Sequence, residues 1–151
     1  MASRFTQVDK NEVLENDKLD MEKLLLKFQE FLYAEYREED EHFYETHGRL
    51  IFLAYLKPIL NGKGFSFVEP QTRQNKRMDI VITYGSEKHI VELRLWNGEA
   101  YRLKGLDQLS AYMEEQKVDK GYLLVFNFNK NKKYAHEWIN FDDKKIFEVV
   151  V

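Results

Sequence analysis

Three charged residues, Asp79, Glu92 and Arg94, are spaced so that a β-hairpin would bring them together. Gly85-Ser86 separates two stretches of alternating residues, and glycine at the first position favours a two-residue type II′ turn. With that turn, Asp79 lies directly opposite Glu92, and Arg77 lies opposite Arg94. Because residues two apart in a strand share a face, Asp79, Glu92 and Arg94 should project from the same side of the sheet.

Two directly opposed carboxylates repel each other, so this pair requires compensating positive charge. Arg77 and Arg94 would supply it if the residues form a surface ladder of charges. A divalent cation would supply it in a metal site, since Mg²⁺ binds one or two carboxylates together with water and phosphate oxygens. The spacing alone leaves both interpretations open.

The period of the apolar positions predicts the elements that carry these residues. Helices are predicted from a cap at Asp20 through Leu32, from about His42 to Leu60 and from Tyr101 to Gln116. Strands are predicted over 65–69, 77–84, 88–96, 121–128, 138–141 and 145–151. This order is typical of an α/β fold in which helices pack against a sheet.

The composition is that of one globular domain. The chain has 151 residues, of which 44% are hydrophobic, and it can therefore bury a sizeable core. It contains no cysteine, which excludes disulfide scaffolds, cysteine-ligated zinc and thiol catalysis. No apolar run approaches the roughly 20 residues of a membrane helix, and no signal peptide opens the chain. We expect a disordered segment over 1–19 and a single cytoplasmic domain over 20–151.

Charge is distributed unevenly along the chain. Residues 1–47 hold 13 acidic and 6 basic side chains, a net charge of −7, whereas residues 48–151 hold 13 acidic and 17 basic, a net charge of +4. The acidic part argues against non-specific coating of nucleic acid, while the basic part is compatible with local phosphate contacts. P-loop, GxGxxG and GxSxG motifs are absent from the sequence.

Asp79, followed on the next strand by Glu92-Leu93-Arg94, resembles the motif of the PD-(D/E)XK nuclease superfamily. A helix containing Glu45 precedes it, and a helix with Gln108 and Tyr112 follows, similar to the QxxxY element of some branches. The run from about 41 to 130 resembles the nuclease-like C-terminal domain found behind AAA-type ATPase domains in bacterial proteins. The phrases that carry this resemblance are 57–64, 68–72, 91–96 and 121–126. It implies a restriction-endonuclease-like fold, with a mixed central sheet flanked by helices.

The resemblance also implies roles for individual residues. Asp79 and Glu92 would hold Mg²⁺ or Mn²⁺, with the carbonyl oxygen of Leu93 as a further ligand. Glu45 would add an outer carboxylate, and Gln108 would orient a phosphate or a water molecule. The attacking group would be a metal-bound water aligned with the scissile phosphate.

Arg94 stands where the family motif has lysine. Arginine stays charged, so it can stabilise negative charge on a phosphate but cannot act as a base. Either Arg94 serves as an electrophilic clamp, or it pairs permanently with Glu92 or Asp79 and fills the metal site.

The resemblance therefore implies a Mg²⁺-dependent nuclease acting on nucleic acid, DNA being the expected substrate. The alternative is a catalytically degenerate nuclease fold that binds or interacts as a module of an ATPase system. In either case the resemblance implies an ATPase domain in the parent protein. An exposed subset of the eleven Phe and nine Tyr would suit a homodimer contact.

Overall fold

The computed structural model describes residues 9–35, 45–68, 79–127 and 134–151. Its helices are α1 (Met21–Glu35), α2 (Glu45–Leu60) and α3 (Glu99–Gln116), and a 3-10 turn spans Lys10–Val13. Its strands are β1 (Leu14–Glu15), β2 (Lys18–Leu19), β3 (Gly64–Val68), β4 (Asp79–Tyr84), β5 (Glu87–Leu95), β6 (Lys120–Phe126), β7 (Ala135–Phe141) and β8 (Lys144–Val150). The predicted α/β class is confirmed.

The main sheet has six strands in the order β3-β4-β5-β6-β8-β7. Strands β3, β4 and β5 are joined antiparallel, whereas β6 lies parallel to both β5 and β8. The crossover from β5 to β6 contains α3, as a parallel connection requires. Strand β8 returns antiparallel along β7 after the turn at Asp142-Asp143, whose φ angles of 47° and 63° suit a type I′ hairpin. The central sheet is thus mixed and flanked by helices.

Helices cover both faces of this sheet. Helices α1 and α2 pack on the face that carries Ile80, Val91 and Leu124. Leu106, Leu109 and Met113 of α3 pack on the opposite face, in a second apolar cluster. The face of the hairpin that carries Asp79, Glu92 and Arg94 is therefore also an interior face. The sequences of β4 and β5 alone do not indicate this.

Asp20 caps α1, as predicted. Its carboxylate accepts a hydrogen bond from the backbone N–H of Lys23 at 3.1 Å, which satisfies one of the free donors of the first turn. Leu24, Leu25 and Phe28 are fully buried, so the predicted apolar stripe of this helix is the one that enters the core. The hydroxyl of Tyr55 in α2 donates to the carbonyl of Leu24 at 2.9 Å and joins the two helices.

The prediction that residues 1–19 are disordered is wrong for residues 9–19, while residues 1–8 lie outside the described part. The 3-10 turn leads into the β1–β2 hairpin, and Val13 and Leu19 are buried in the core beneath α1 and α2. The backbone N–H of Leu19 also donates to the carboxylate of Glu87 at 3.2 Å. The segment is ordered because two apolar side chains and a hydrogen bond attach it to the sheet.

Several predicted element ends fall in undescribed stretches. The predicted start of the second helix at His42 lies outside the described residues. So do Glu69 at the end of the predicted 65–69 strand, Arg77 at the start of the predicted 77–84 strand, and Phe128 at the end of the predicted 121–128 strand. None of the helices within the described ranges is long and apolar enough to cross a membrane.

Candidate functional site

The register of the β4–β5 hairpin is the predicted one. Gly85 has a φ of 60°, Tyr84 pairs with Glu87, and Asp79 pairs with Glu92. Both carboxylates lie on the face covered by α3, and the exposed fraction of each residue is 0%. The structure therefore brings the two acids together on one face, as the turn chemistry predicts, and removes them from solvent.

Helix α3 covers the face of the sheet that carries the two acids. Tyr101, Gly105 and Gln108 follow each other at intervals of four and three residues, which places them on one face of the helix. This face is directed towards Arg94 of β5. The third helix thus meets the hairpin through polar and small residues at this point, and through Leu109 and Met113 further along.

The guanidinium of Arg94 is held by several groups at once. Nη1 donates to the carbonyl oxygen of Tyr101 at 3.1 Å, and Nη2 donates to the side-chain oxygen of Gln108. Cζ lies 4.3 Å from the centroid of the Tyr101 ring, a favourable cation–π distance. Nε lies 3.6 Å from an oxygen of Glu92, which makes an ion pair. Arg94 is only 6% exposed, so these contacts form in an interior of low dielectric.

Gly105 makes room for this arrangement. A methyl group built on Gly105 would come within 2.5 Å of Cδ and 3.2 Å of Cζ of Arg94, well inside van der Waals contact. Sequence reasoning missed both Gly105 and Tyr101. The signal was present, because a glycine in a helix interior costs roughly 0.5–1 kcal/mol relative to alanine, and such a residue often marks close packing.

The resemblance implies that Gln108 orients a phosphate or a water molecule. In the structure its side-chain oxygen accepts a hydrogen bond from Arg94. Tyr112, four residues further along α3, is buried. Leu93 lies between Glu92 and Arg94, and its side chain packs on the opposite face of the sheet, so only its backbone carbonyl could serve as a ligand near Glu92. Glu45 is the first residue of α2, and its side chain lies outside the described part of the structure.

A third buried carboxylate, that of Glu148, lies on the same face, and sequence reasoning did not find it. Leu123 of β6 is the register partner of both Glu92 and Glu148, so Glu148 lies two strands away from Glu92, about 10 Å at ordinary strand spacing. Arg102 of α3 contacts Glu148 at two points, at 2.5 and 2.9 Å. Glu148 could not be placed from sequence, because the register of parallel strands is not encoded by a local turn.

The electrostatics of this second pair follow from its hydrogen bonds. The bonds from Arg102 to Glu148 raise the pKa of the guanidinium above its ordinary value, against the opposing effect of burial. Glu99 adds a smaller effect in the same direction from the first turn of α3. Arg102 therefore fastens the start of α3 to the sheet, next to the carbonyl of Tyr101 that receives Arg94.

The donor set of the Asp79–Glu92 site fits a hard divalent cation. Carboxylate and carbonyl oxygens are the ligands of Mg²⁺, which needs only one or two carboxylates when water and phosphate complete its shell. Within the described ranges, no group of three or more His, Cys, Asp or Glu residues has the geometry of a metal site. Asp79, Glu92 and the Leu93 carbonyl are the groups that would hold such an ion, and both acids are fully buried.

One family model matches this sequence. Residues 24–130 match the model of a domain of unknown function, DUF8371. No curated protein and no solved structure matches the chain. The matched range includes α2, the β4–β5 hairpin, α3 and β6, and so contains the complete Asp79–Glu92–Arg94 site.

Proposed function

Because the chain belongs to the DUF8371 family, a domain of unknown function, its activity has to be inferred from the site, and we propose a Mg²⁺-dependent nuclease. The proposed reaction is hydrolysis of a phosphodiester bond in nucleic acid, DNA being the expected substrate. The proposal joins the resemblance of the motif to PD-(D/E)XK nucleases with the geometry around Asp79 and Glu92.

The observation that carries the proposal is the opposition of Asp79 and Glu92 on a buried face. Burial disfavours the charged form of a carboxyl group, and a second carboxylate alongside disfavours it further. Arg94 offsets part of this repulsion through its ion pair with Glu92, and binding of a divalent cation would offset more of it. This is the arrangement expected of a cation site that is completed only when the ion binds.

The residues of the site divide the work between them. Asp79 and Glu92 would bind the ion, which when bound would polarise a water molecule and a phosphate oxygen. Arg94 keeps a fixed positive charge beside Glu92, and it cannot accept a proton because the guanidinium remains charged. Gln108 holds Arg94 in place. Lys104, exposed on α3, lies on the helix that covers the site and would contact the phosphate backbone of the substrate.

A second candidate function is favoured by the contacts of Arg94. A degenerate nuclease fold would pair Arg94 with Glu92 or Asp79, and Nε of Arg94 lies 3.6 Å from a carboxylate oxygen of Glu92. Both acids are also fully buried. We propose as the alternative that Arg94 replaces the cation permanently and that the domain is a binding module of an ATPase system.

A nicking assay on supercoiled plasmid DNA tests the first proposal. We expect nicking in Mg²⁺ or Mn²⁺ that stops when EDTA is added. Asp79→Asn and Glu92→Gln should each abolish it, because each removes one ligand charge while preserving the size of the side chain. The matched control is Glu137→Gln, which changes an exposed acid of β7. Nicking that persists in both site variants would remove the assignment.

Calorimetric titration with Mg²⁺ and Mn²⁺ separates the two candidates. The nuclease requires a binding heat that is lost in Asp79→Asn, whereas the degenerate module predicts no heat in the unaltered chain. Arg94→Lys adds a second comparison. A lysine ammonium cannot reach Tyr101 and Gln108 together as the guanidinium does, so it is free to approach the acids, and we expect the nicking rate to rise.

A further inference from the structure

We propose that α3 carries a guanidinium seat, formed by Tyr101, Gly105 and Gln108 together with Glu92, which accepts arginine at position 94 and excludes lysine. The inference goes beyond the proposed function, since it concerns what the helix recognises and holds whether or not the domain cleaves a phosphodiester. It assigns Gly105 and Tyr101 as positioning residues.

Each wall of the seat addresses a different property of a guanidinium. The carbonyl of Tyr101 and the side-chain oxygen of Gln108 receive hydrogen bonds from two different nitrogens, Nη1 and Nη2. The Tyr101 ring lies against the flat cation, with its centroid 4.3 Å from Cζ. Glu92 supplies the countercharge at 3.6 Å from Nε. A lysine ammonium is compact and has one nitrogen, so it cannot satisfy two separated acceptors and stack on a ring at the same time.

Gly105 is the part of the seat with the sharpest requirement. Any larger residue would place its Cβ against the Arg94 side chain, within 2.5 Å of Cδ. Arg94 cannot move away without breaking its bonds to Tyr101 and Gln108, since it is 6% exposed and held at both Nη atoms. Glycine at this position lowers the intrinsic stability of the helix, but it leaves the space that the aliphatic part of the Arg94 side chain occupies.

The spacing on α3 supports a built site. Tyr101, Gly105 and Gln108 lie on one helix face, and each of the three lies against the Arg94 side chain. The two-point ion pair between Arg102 and Glu148 fixes the same turn of α3 against the sheet. The seat is thus preorganised by contacts that Arg94 does not make.

Chemical rescue tests the seat directly. Arg94→Ala should lower the melting temperature, and guanidinium chloride at low millimolar concentration should restore at least half of the loss. At that concentration its denaturing effect is negligible, because denaturation scales with molar concentration. Ammonium chloride at equal concentration should not restore it, and guanidinium should not stabilise the unaltered chain. Equal stabilisation by ammonium, or no rescue by guanidinium, would overturn the proposal.

A double-mutant cycle gives an independent test that does not require the rescue to work. Gly105→Ala should lower the melting temperature when residue 94 is arginine and raise or preserve it when residue 94 is alanine, because the clash is then gone and alanine favours the helix. Gly121→Ala is the matched control. Gly121 faces Met113 just as closely, so its effect should be the same with either residue at position 94. A Gly105→Ala effect that is also independent of residue 94 contradicts the seat.

These measurements read stability, so they are separate from the nicking assay. If positions 94 and 105 are coupled but the protein does not nick DNA, the guanidinium seat is supported and the nuclease function is rejected. If the protein nicks DNA but positions 94 and 105 are not coupled, the nuclease function is supported and the seat is rejected.

Discussion

Asp79 and Glu92 occupy directly opposed positions of β4 and β5, and both are completely buried. Because this pairing exists only in the folded chain, the cation that we propose between the two carboxylates would bind the folded state and not the unfolded one. The stability of the protein should therefore depend on the concentration of free Mg²⁺.

We expect Mg²⁺ to increase the free energy of unfolding by about 2.7 kcal/mol when its concentration is about 100 times the dissociation constant. Thermal unfolding in EDTA and in rising Mg²⁺ measures this increase. It should vanish in Asp79→Asn and Glu92→Gln and persist in Glu137→Gln, whose acid is exposed. An increase of the same size in Asp79→Asn would show that the ion binds elsewhere.

The ion pair between Arg102 and Glu148 should contribute strongly to stability. Arg102→Met would leave the Glu148 carboxylate buried without its two-point partner, at a cost of about 3 kcal/mol in the free energy of unfolding. Urea unfolding measures the cost. Glu99→Gln removes the other ion pair of Arg102 and should cost less than about 1 kcal/mol, since the Glu99 side chain is largely exposed. Equal costs for the two variants would contradict this ranking.

His89 should make stability depend on pH. Burial lowers the pKa of its imidazole below the ordinary value of 6.5, against the opposing effect of Glu87. The unfolded chain then binds the proton more readily than the folded chain, so the stability from His89 is complete above about pH 6.5 and is lost as pH falls towards the folded pKa.

Urea unfolding between about pH 5 and pH 8 measures this dependence. At pH values below about 6.5, His89→Gln should reduce the slope of the free energy of unfolding against pH. This expectation holds whatever the substitution does to stability at neutral pH. His136→Gln, at an exposed position of β7, is the control and should leave the slope unchanged. A slope that stays the same in His89→Gln would assign the acid sensitivity to other groups.

Val13 should matter to stability although it belongs to the segment predicted to be disordered. Its side chain is fully buried in the cluster beneath α1 and α2, so Val13→Ala should cost about 2 kcal/mol through lost burial and a small cavity. Glu15→Ala, two residues away and exposed, should have little effect. Urea unfolding of the two variants compares them, and a Val13→Ala cost as small as that of Glu15→Ala would mean that the hairpin does not dock in solution.

The features predicted correctly are those encoded by neighbouring residues. The Asp20 cap acts within one turn of α1, and Gly85-Ser86 fixes the register of β4 on β5 because a two-residue turn allows one pairing. The β1–β2 hairpin was missed although a local signal existed. Asn16 and Asp17 have φ angles of 53° and 63°, the conformation of a type I′ turn, and both residue types tolerate it.

The sequence by itself determined that Asp79 and Glu92 face each other and share a side of the hairpin with Arg94. Only the tertiary structure decided that α3 covers this side, that Gly105 opens the space for Arg94, and that Glu148 joins the same face through β6 and β8. The difference is physical. A hairpin turn sets its register within a few residues, whereas a helix crossing between parallel strands is positioned by side chains that are distant in sequence and meet only when the core is packed.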